Sequence, residues 1–166
     1  MKNAKTFKLI AACASIYWAT AAFSHEGSIH KGKTDAVVKE QKDWGIAGDA
    51  KSVKRTITVV MSDKMRFTPD SLTFKQGDTV RFIVKNQGKL LHEMVIGTKK
   101  ELNEHAALMA KFPKMEHDEP YMAHVAAGKS QELIWTFNRA GNFEFACLMV
   151  GHYQANMVGK ITVAAR

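Results

Sequence analysis

From Val53 onward hydrophobic and polar residues alternate in short runs. Ile57, Val59 and Met61 share one face of an extended segment, and Thr56 and Thr58 share the other. Leu72 and Phe74 repeat the pattern, as do Val80, Phe82 and Val84 between Arg81 and Lys85. Further runs follow at Leu133/Trp135/Phe137, Phe143/Phe145/Cys147 and Ile161/Val163. Turn-forming stretches separate them: Thr68-Pro69-Asp70, Gln76-Gly77-Asp78, Asn86-Gln87-Gly88 and Arg139-Ala140-Gly141-Asn142. Short alternating strands with frequent turns predict an all-β chain, an antiparallel sandwich or barrel. One helix interrupts it. Thr98 and Glu101 form a capping box, and Leu102, Ala106, Met109 and Phe112 share one helical face before Pro113 ends the run. Residues 113–127 read as one long connection, a length that is often functional.

The chain before Val53 lacks this periodicity. Lys2, Lys5 and Lys8 precede an apolar stretch from Leu9 to Phe23, and Ala22-Phe23-Ser24 offers small residues for cleavage. Residues 1–24 therefore read as a signal peptide, with a mature chain beginning at His25. Residues 25–52 are polar and aperiodic, as expected of a flexible arm, with Trp44 placed to pin its end to a domain over 53–166. The mature chain is expected to be exported, periplasmic and without a membrane span. The whole chain carries +8, and losing three lysines and no acid leaves +5. Its lysines are scattered among acids, so no nucleic-acid partner is expected.

Export leaves one cysteine, Cys147, in a compartment that oxidises thiols. It continues the apolar face of its strand, so its sulfur points inward at the strand's end. Gly151 lets the following loop turn back and bring His152 near, and Met157 begins the next strand. A thiolate, two imidazoles and a weak axial thioether form a copper site of the trigonal His₂Cys kind. The second histidine has to come from a loop at the same end of the sandwich. His92 is the best candidate, with His105, His117 and His124 less well fixed.

Phe143-Glu-Phe-Ala-Cys147, Gly151-His152 and Met157-Val-Gly-Lys-Ile-Thr-Val163, together with Leu91-His92-Glu93-Met94-Val95, resemble the signature of the cupredoxins, the blue-copper proteins. The resemblance covers Val53 to Ala164. It implies a Greek-key β-sandwich and one type 1 copper held by His92, Cys147, His152 and Met157. The gaps between the last three are similar to those of auracyanins and of periplasmic copper-tolerance cupredoxins. The stretch from Ala107 to Pro120 and the His-bearing N-terminal arm are similar to the copper-tolerance group, which the chain resembles most. Two positions depart from the pattern. Val150 stands where many relatives have proline. Glu93 stands where several electron-transfer members have an asparagine that ties the two ligand loops together, so the resemblance leaves that link open here.

The expected function is one-electron Cu(I)/Cu(II) cycling in copper tolerance by a monomer that is not an enzyme. No His-x-His pair is available for a second, open catalytic copper. A dedicated respiratory electron carrier is one alternative. A copper chaperone or store is another, using Met109, Met115, His117, Met122 and His124, with His25 and His30 in the arm as further donors. Leu148, Met149 and Val150 around His152 are candidate docking residues for a redox or copper-donor protein.

Overall fold

The alternating segments form two five-stranded sheets. In chain order the strands are β1 (Ile46–Ala47), β2 (Arg55–Ser62), β3 (Arg66–Thr68), β4 (Ser71–Lys75), β5 (Asp78–Asn86), β6 (His92–Gly97), β7 (Met122–Val125), β8 (Ser130–Phe137), β9 (Gly141–Ala146) and β10 (Val158–Ala164). Helix α1 (Lys99–Lys111) lies between β6 and β7. The computed structural model describes residues 39–113, 115 and 117–166, which fall within one compact unit, Thr34–Arg166. The signal peptide expected over 1–24 and the candidate donors His25 and His30 lie outside the described residues.

One sheet has the order β1-β8-β5-β2-β3 and the other β4-β10-β9-β6-β7. Their inner faces share a core in which Phe74 stacks on Phe137 at 4.5 Å and both meet Phe82 edge-on. This is the β-sandwich that the alternation predicts. Its pairing is not wholly antiparallel, however. β2 runs parallel to β5, and β4 runs parallel to β10. The chain leaves the first sheet after β3, adds β4 to the second, and returns with β5, so β2 and β5 become neighbours without a hairpin between them.

Three further features depart from the sequence pattern. First, regular structure begins upstream of Val53. Lys42 and Gly45 form a bridge, β1 pairs with β8, and Trp44 is buried with its carbonyl accepting from Trp135 Nε1 at 3.0 Å. Gly45 has φ +135, and a Cβ there would collide with the Thr136 carbonyl. The aperiodic arm therefore does not extend to residue 52, and Trp44 is the pin. Second, the connection over 113–127 contains β7, which pairs with β6 and sets His124 opposite Glu93. Third, Phe112 is 48% exposed rather than on the buried face with Leu102, Ala106 and Met109. It is the C-cap, at φ −129 and ψ 68, so it has left the helical periodicity.

Thr98 caps α1 as expected, its hydroxyl accepting from the Glu101 N–H at 3.2 Å. The helix covers the outer face of β6 and β9 through a second apolar cluster that includes Val95, Leu102, Ala106, Met109, Met122 and Leu148. With core on one side and α1 on the other, all six residues of β6 are buried. That is why Met94-Val95-Ile96 runs apolar without alternating.

Candidate metal site

Three adjacent strands deliver the donors. His92 opens β6, Cys147 follows the last residue of β9, and Met157 precedes β10. The register Val95↔Ala146 joins β6 to β9, and Val158↔Ala146 joins β10 to β9. The pairing continues past the strand ends, because the Cys147 N–H donates to the Met157 carbonyl at 3.1 Å. His152 rides on the intervening turn. Its N–H donates to the Met149 carbonyl at 2.9 Å, and its carbonyl accepts from Met157 N–H at 3.1 Å. Gly151, at φ +89, makes the reversal that brings it back. Tyr153 Oη donates to Asn103 Oδ1 at 2.6 Å and moors this turn to α1.

His92 and Cys147 are fully buried and His152 is partly exposed. Cys147 Sγ stands 3.2 Å from His152 Nδ1 and 4.0 Å from His92 Nδ1, and one donor atom from each residue lies within 4.8 Å of the other two. Nitrogen and sulfur bonded to one small divalent ion at about 2.0 and 2.3 Å stand roughly 3.5–4 Å apart. The observed separations bracket that range, so the three donors fit a single ion. Met157 is buried in the same core cluster, tied by backbone to both Cys147 and His152.

Burial pushes the Cys147 thiol from an ordinary 9.0 up to about 12, so without metal it keeps its proton at neutral pH. Burial, with His92 nearby, lowers the His152 pKa, which leaves a neutral imidazole to accept from that thiol. Cys147, His92 and His152 would hold a metal ion here, with the thiol proton given up to make room for it.

Two carboxylates hold the ligand loops; Asp63 has no signal in the sequence, and Glu93 stands out there only as a departure from the family's asparagine. Asp63, in the turn between β2 and β3, accepts from His92 Nε2 at 3.0 Å, from Lys89 N–H at 2.7 Å and from Leu90 N–H at 3.3 Å. The Lys89 amide first and the His92 ring second hold its carboxyl below the usual range. It fixes the proton on Nε2 and leaves Nδ1 facing the sulfur. No pattern in the chain connects residues this far apart; Ser-Asp-Lys reads as an ordinary turn. Glu93 is buried. Its backbone N–H donates to Cys147 Sγ at 3.4 Å, and its Oε1 accepts from Leu148 N–H at 2.7 Å. The link between the two ligand loops is therefore present, made by a carboxylate instead of an asparagine amide.

The alternative histidines gather elsewhere. His105 from α1 and His117 have ring centroids 4.6 Å apart, and His117 and His124 6.1 Å apart. None of them belongs to the donor triangle of His92, Cys147 and His152.

A thiol and two imidazoles closing one end of a two-sheet sandwich define a single-copper protein of the cupredoxin type. The family model for copper-binding proteins of the plastocyanin/azurin family matches residues 53–164, and the chain belongs to that family; copper is its metal. It is similar to the copper-resistant cuproprotein CopI of Rubrivivax gelatinosus, at 44% identity over 153 residues, covering 91% of this chain and 93% of the relative. The protein of the same name in Pseudomonas aeruginosa is 38% identical over 149 residues, covering 72% of this chain and 82% of the relative. In fold, the chain resembles auracyanin from Roseiflexus castenholzii, with TM-score 0.58 and 20% identity over 68% of this chain and 98% of that one. It also resembles auracyanin A from Chloroflexus aurantiacus, with TM-score 0.54 and 23% identity over 65% and 97%.

Proposed function

We propose that this protein is an exported cupredoxin that holds one copper through His92, Cys147, His152 and Met157 and serves in periplasmic copper tolerance. The observation that carries the copper-site reading is the donor triangle of one buried thiol and two imidazole Nδ1 atoms. Copper bound there supplies one-electron exchange between Cu(I) and Cu(II). The chain's own part is to keep the donors still. His92 is clamped by Asp63, the Cys147 sulfur accepts from the Glu93 N–H, and His152 is closed into a hydrogen-bonded turn. Donors that barely move suit fast electron transfer, and four protein side chains leave no position for a substrate, so the protein is not an enzyme. Of the three candidate docking residues, Leu148 is buried in the cluster beneath α1, Met149 is half-buried and Val150 is 54% exposed. Val150, with Leu91 at 44%, supports docking of a redox or copper-donor protein beside His152. The tolerance role rests on the names of the relatives. Export rests on the leader-like residues 1–24; among the described residues no helix is long and apolar enough to cross a membrane.

The test is the absorption and EPR spectrum of the copper-loaded mature protein. An intense thiolate-to-copper band, lost in Cys147→Ser and altered in His92→Ala, is expected; a colourless Cu(II) complex would sink the reading. Deleting the gene should cause copper sensitivity without a respiratory defect. A respiratory defect alone would favour a dedicated electron carrier.

One observation favours adding a copper-store role. Both ring nitrogens of His117 are buried without a hydrogen-bond partner among the described residues, beside His105 and His124. Met109 and Met122 line the neighbouring apolar cluster. Imidazoles and thioethers together suit Cu(I). Cu(I) bound by the Cys147→Ser variant would support this reading, and no Cu(I) bound would remove it.

A further inference from the structure

Glu93 is a charged residue where a strand of this kind should carry an apolar one. It is the second residue of β6, the strand buried on both faces, and is itself 1% exposed. His92 beside it turns toward the Cys147 sulfur. Glu93 projects to the other side of the sheet, toward the region covered by α1 and the connection that follows it. There its two oxygens part company. Oε1 accepts from the N–H of Leu148, the residue after Cys147, at 2.7 Å. Oε2 lies 2.8 Å from Nε2 of His124, its register partner on β7. A buried carboxyl group that loses either donor has one oxygen left without a partner and no water to turn to. The group therefore has to follow both of its donors.

We propose that Glu93 is a positioning residue that couples His124, and with it the His105–His117–His124 cluster, to the loop carrying Cys147. A displacement or change of partner at His124 pulls on Oε2. The carboxylate turns, and the Leu148 amide and the sulfur beside it feel the change. Such coupling is reciprocal, so an event at the sulfur also reaches His124. The link does not depend on whether the cluster takes a metal, and it is read first in metal-free protein.

The experiment uses the mature chain, ¹⁵N-labelled, in four forms: wild type, His124→Asn, Glu93→Gln and the double variant. Asparagine removes the Nε2 donor. Glutamine keeps the size of Glu93 and an oxygen for Leu148 but removes its charge. The Leu148 amide resonance of the metal-free protein should move in His124→Asn, and adding His124→Asn to Glu93→Gln should move it no further. In the copper-loaded forms the thiolate band and the reduction potential should follow the same pattern. Equal shifts in both backgrounds would mean that His124 acts on Leu148 without Glu93 and would overturn the proposal. If Glu93→Gln does not fold, the wild-type background decides alone. There, His124→Asn must move Leu148, and His117→Asn must move it much less. A Leu148 amide indifferent to His124, or equally sensitive to both histidines, rejects the coupling.

Discussion

His92, Cys147 and His152 sit where three hydrogen-bonded strands end, whereas His105, His117 and His124 come from a helix, a stretch of irregular backbone and a strand. The donor atoms of the first triad lie within 4.8 Å of one another, whereas in the second the rings of His105 and His117 have centroids 4.6 Å apart and those of His117 and His124 6.1 Å, and the two groups are held very differently. In the first, the backbone pairing of β6, β9 and β10 fixes the spacing before any side chain is considered. Asp63 and Glu93 then lock what remains. In the second, His124 is braced by Glu93, while His117 has two buried nitrogens without a hydrogen-bond partner among the described residues. A site built on strand ends keeps its geometry when the metal changes charge. A site shared between a helix and a loop can adjust to take up or release an ion, and its cost is carried by unsatisfied polar atoms.

The sharpest way to break this comparison is to remove the thiol. Cys147→Ser should abolish the intense visible band and weaken copper binding at the strand-end site by orders of magnitude, because the soft equatorial donor is gone. Cu(I) binding at the histidine cluster should persist in the same variant. Titration with a Cu(I) chelator competitor reads both, and simultaneous loss of both would show that the two triads are one site.

The metal-free protein offers a second test through pH. The folded thiol ionises near 12, against an ordinary 9.0. Between those values the unfolded chain has lost this proton and the folded chain keeps it. Unfolding then releases a proton, and stability falls as pH rises. The contribution is fully present below about pH 9 and lost by about pH 12, a decline of up to about 4 kcal/mol. Urea unfolding of the metal-free protein at pH 8 and pH 11 should show it. Cys147→Ala should lack this component while sharing the decline that other groups cause.

These tests concern residues that the chain's own pattern exposes to very different degrees. Cys147, His152 and Met157 are legible because they lie close together in sequence and flank strands whose alternation is plain. The sheet partners of those strands are not legible: the parallel pairs β2–β5 and β4–β10 arise from crossings between sheets, which local periodicity does not record. β7 is hidden for a related reason. Met-Ala-His-Val has little alternation of its own and becomes a strand only because β6 offers an edge. Asp63 is the extreme case, an ordinary turn residue until the fold brings it beside His92.

Asp63 therefore gives the third prediction, which sharpens the claim that the strand-end site is locked. Asp63→Ala frees the His92 ring and leaves the Lys89 and Leu90 amides without their acceptor. Losing the hydrogen-bond partner behind a ligating histidine costs about 10–100-fold in metal affinity. Copper affinity should fall by that factor, and Asp63→Asn, which keeps one acceptor, should fall between wild type and alanine. An Asp63→Ala protein with unchanged affinity would mean that strand pairing alone positions His92.

The smallest effect is expected at His117, where the sign matters more than the size. Its ring nitrogens are buried without hydrogen-bond partners among the described residues, and an unsatisfied buried polar group destabilises a fold by about 1–3 kcal/mol. His117→Leu replaces the ring with an apolar side chain of similar bulk. Metal-free His117→Leu should be more stable than wild type by about 1 kcal/mol, read by denaturant unfolding at pH 7.5, and should bind less Cu(I) outside the Cys147 site. Desolvation, with His117 close by, holds the His105 pKa down, so at pH 7.5 the His105 ring beside the substitution is uncharged. A stability gain paired with a loss of Cu(I) binding would mark His117 as a residue kept for its lone pairs. A stability loss would mean that the ring packs better than its empty hydrogen-bonding positions imply, and that the two triads differ less than their architecture suggests.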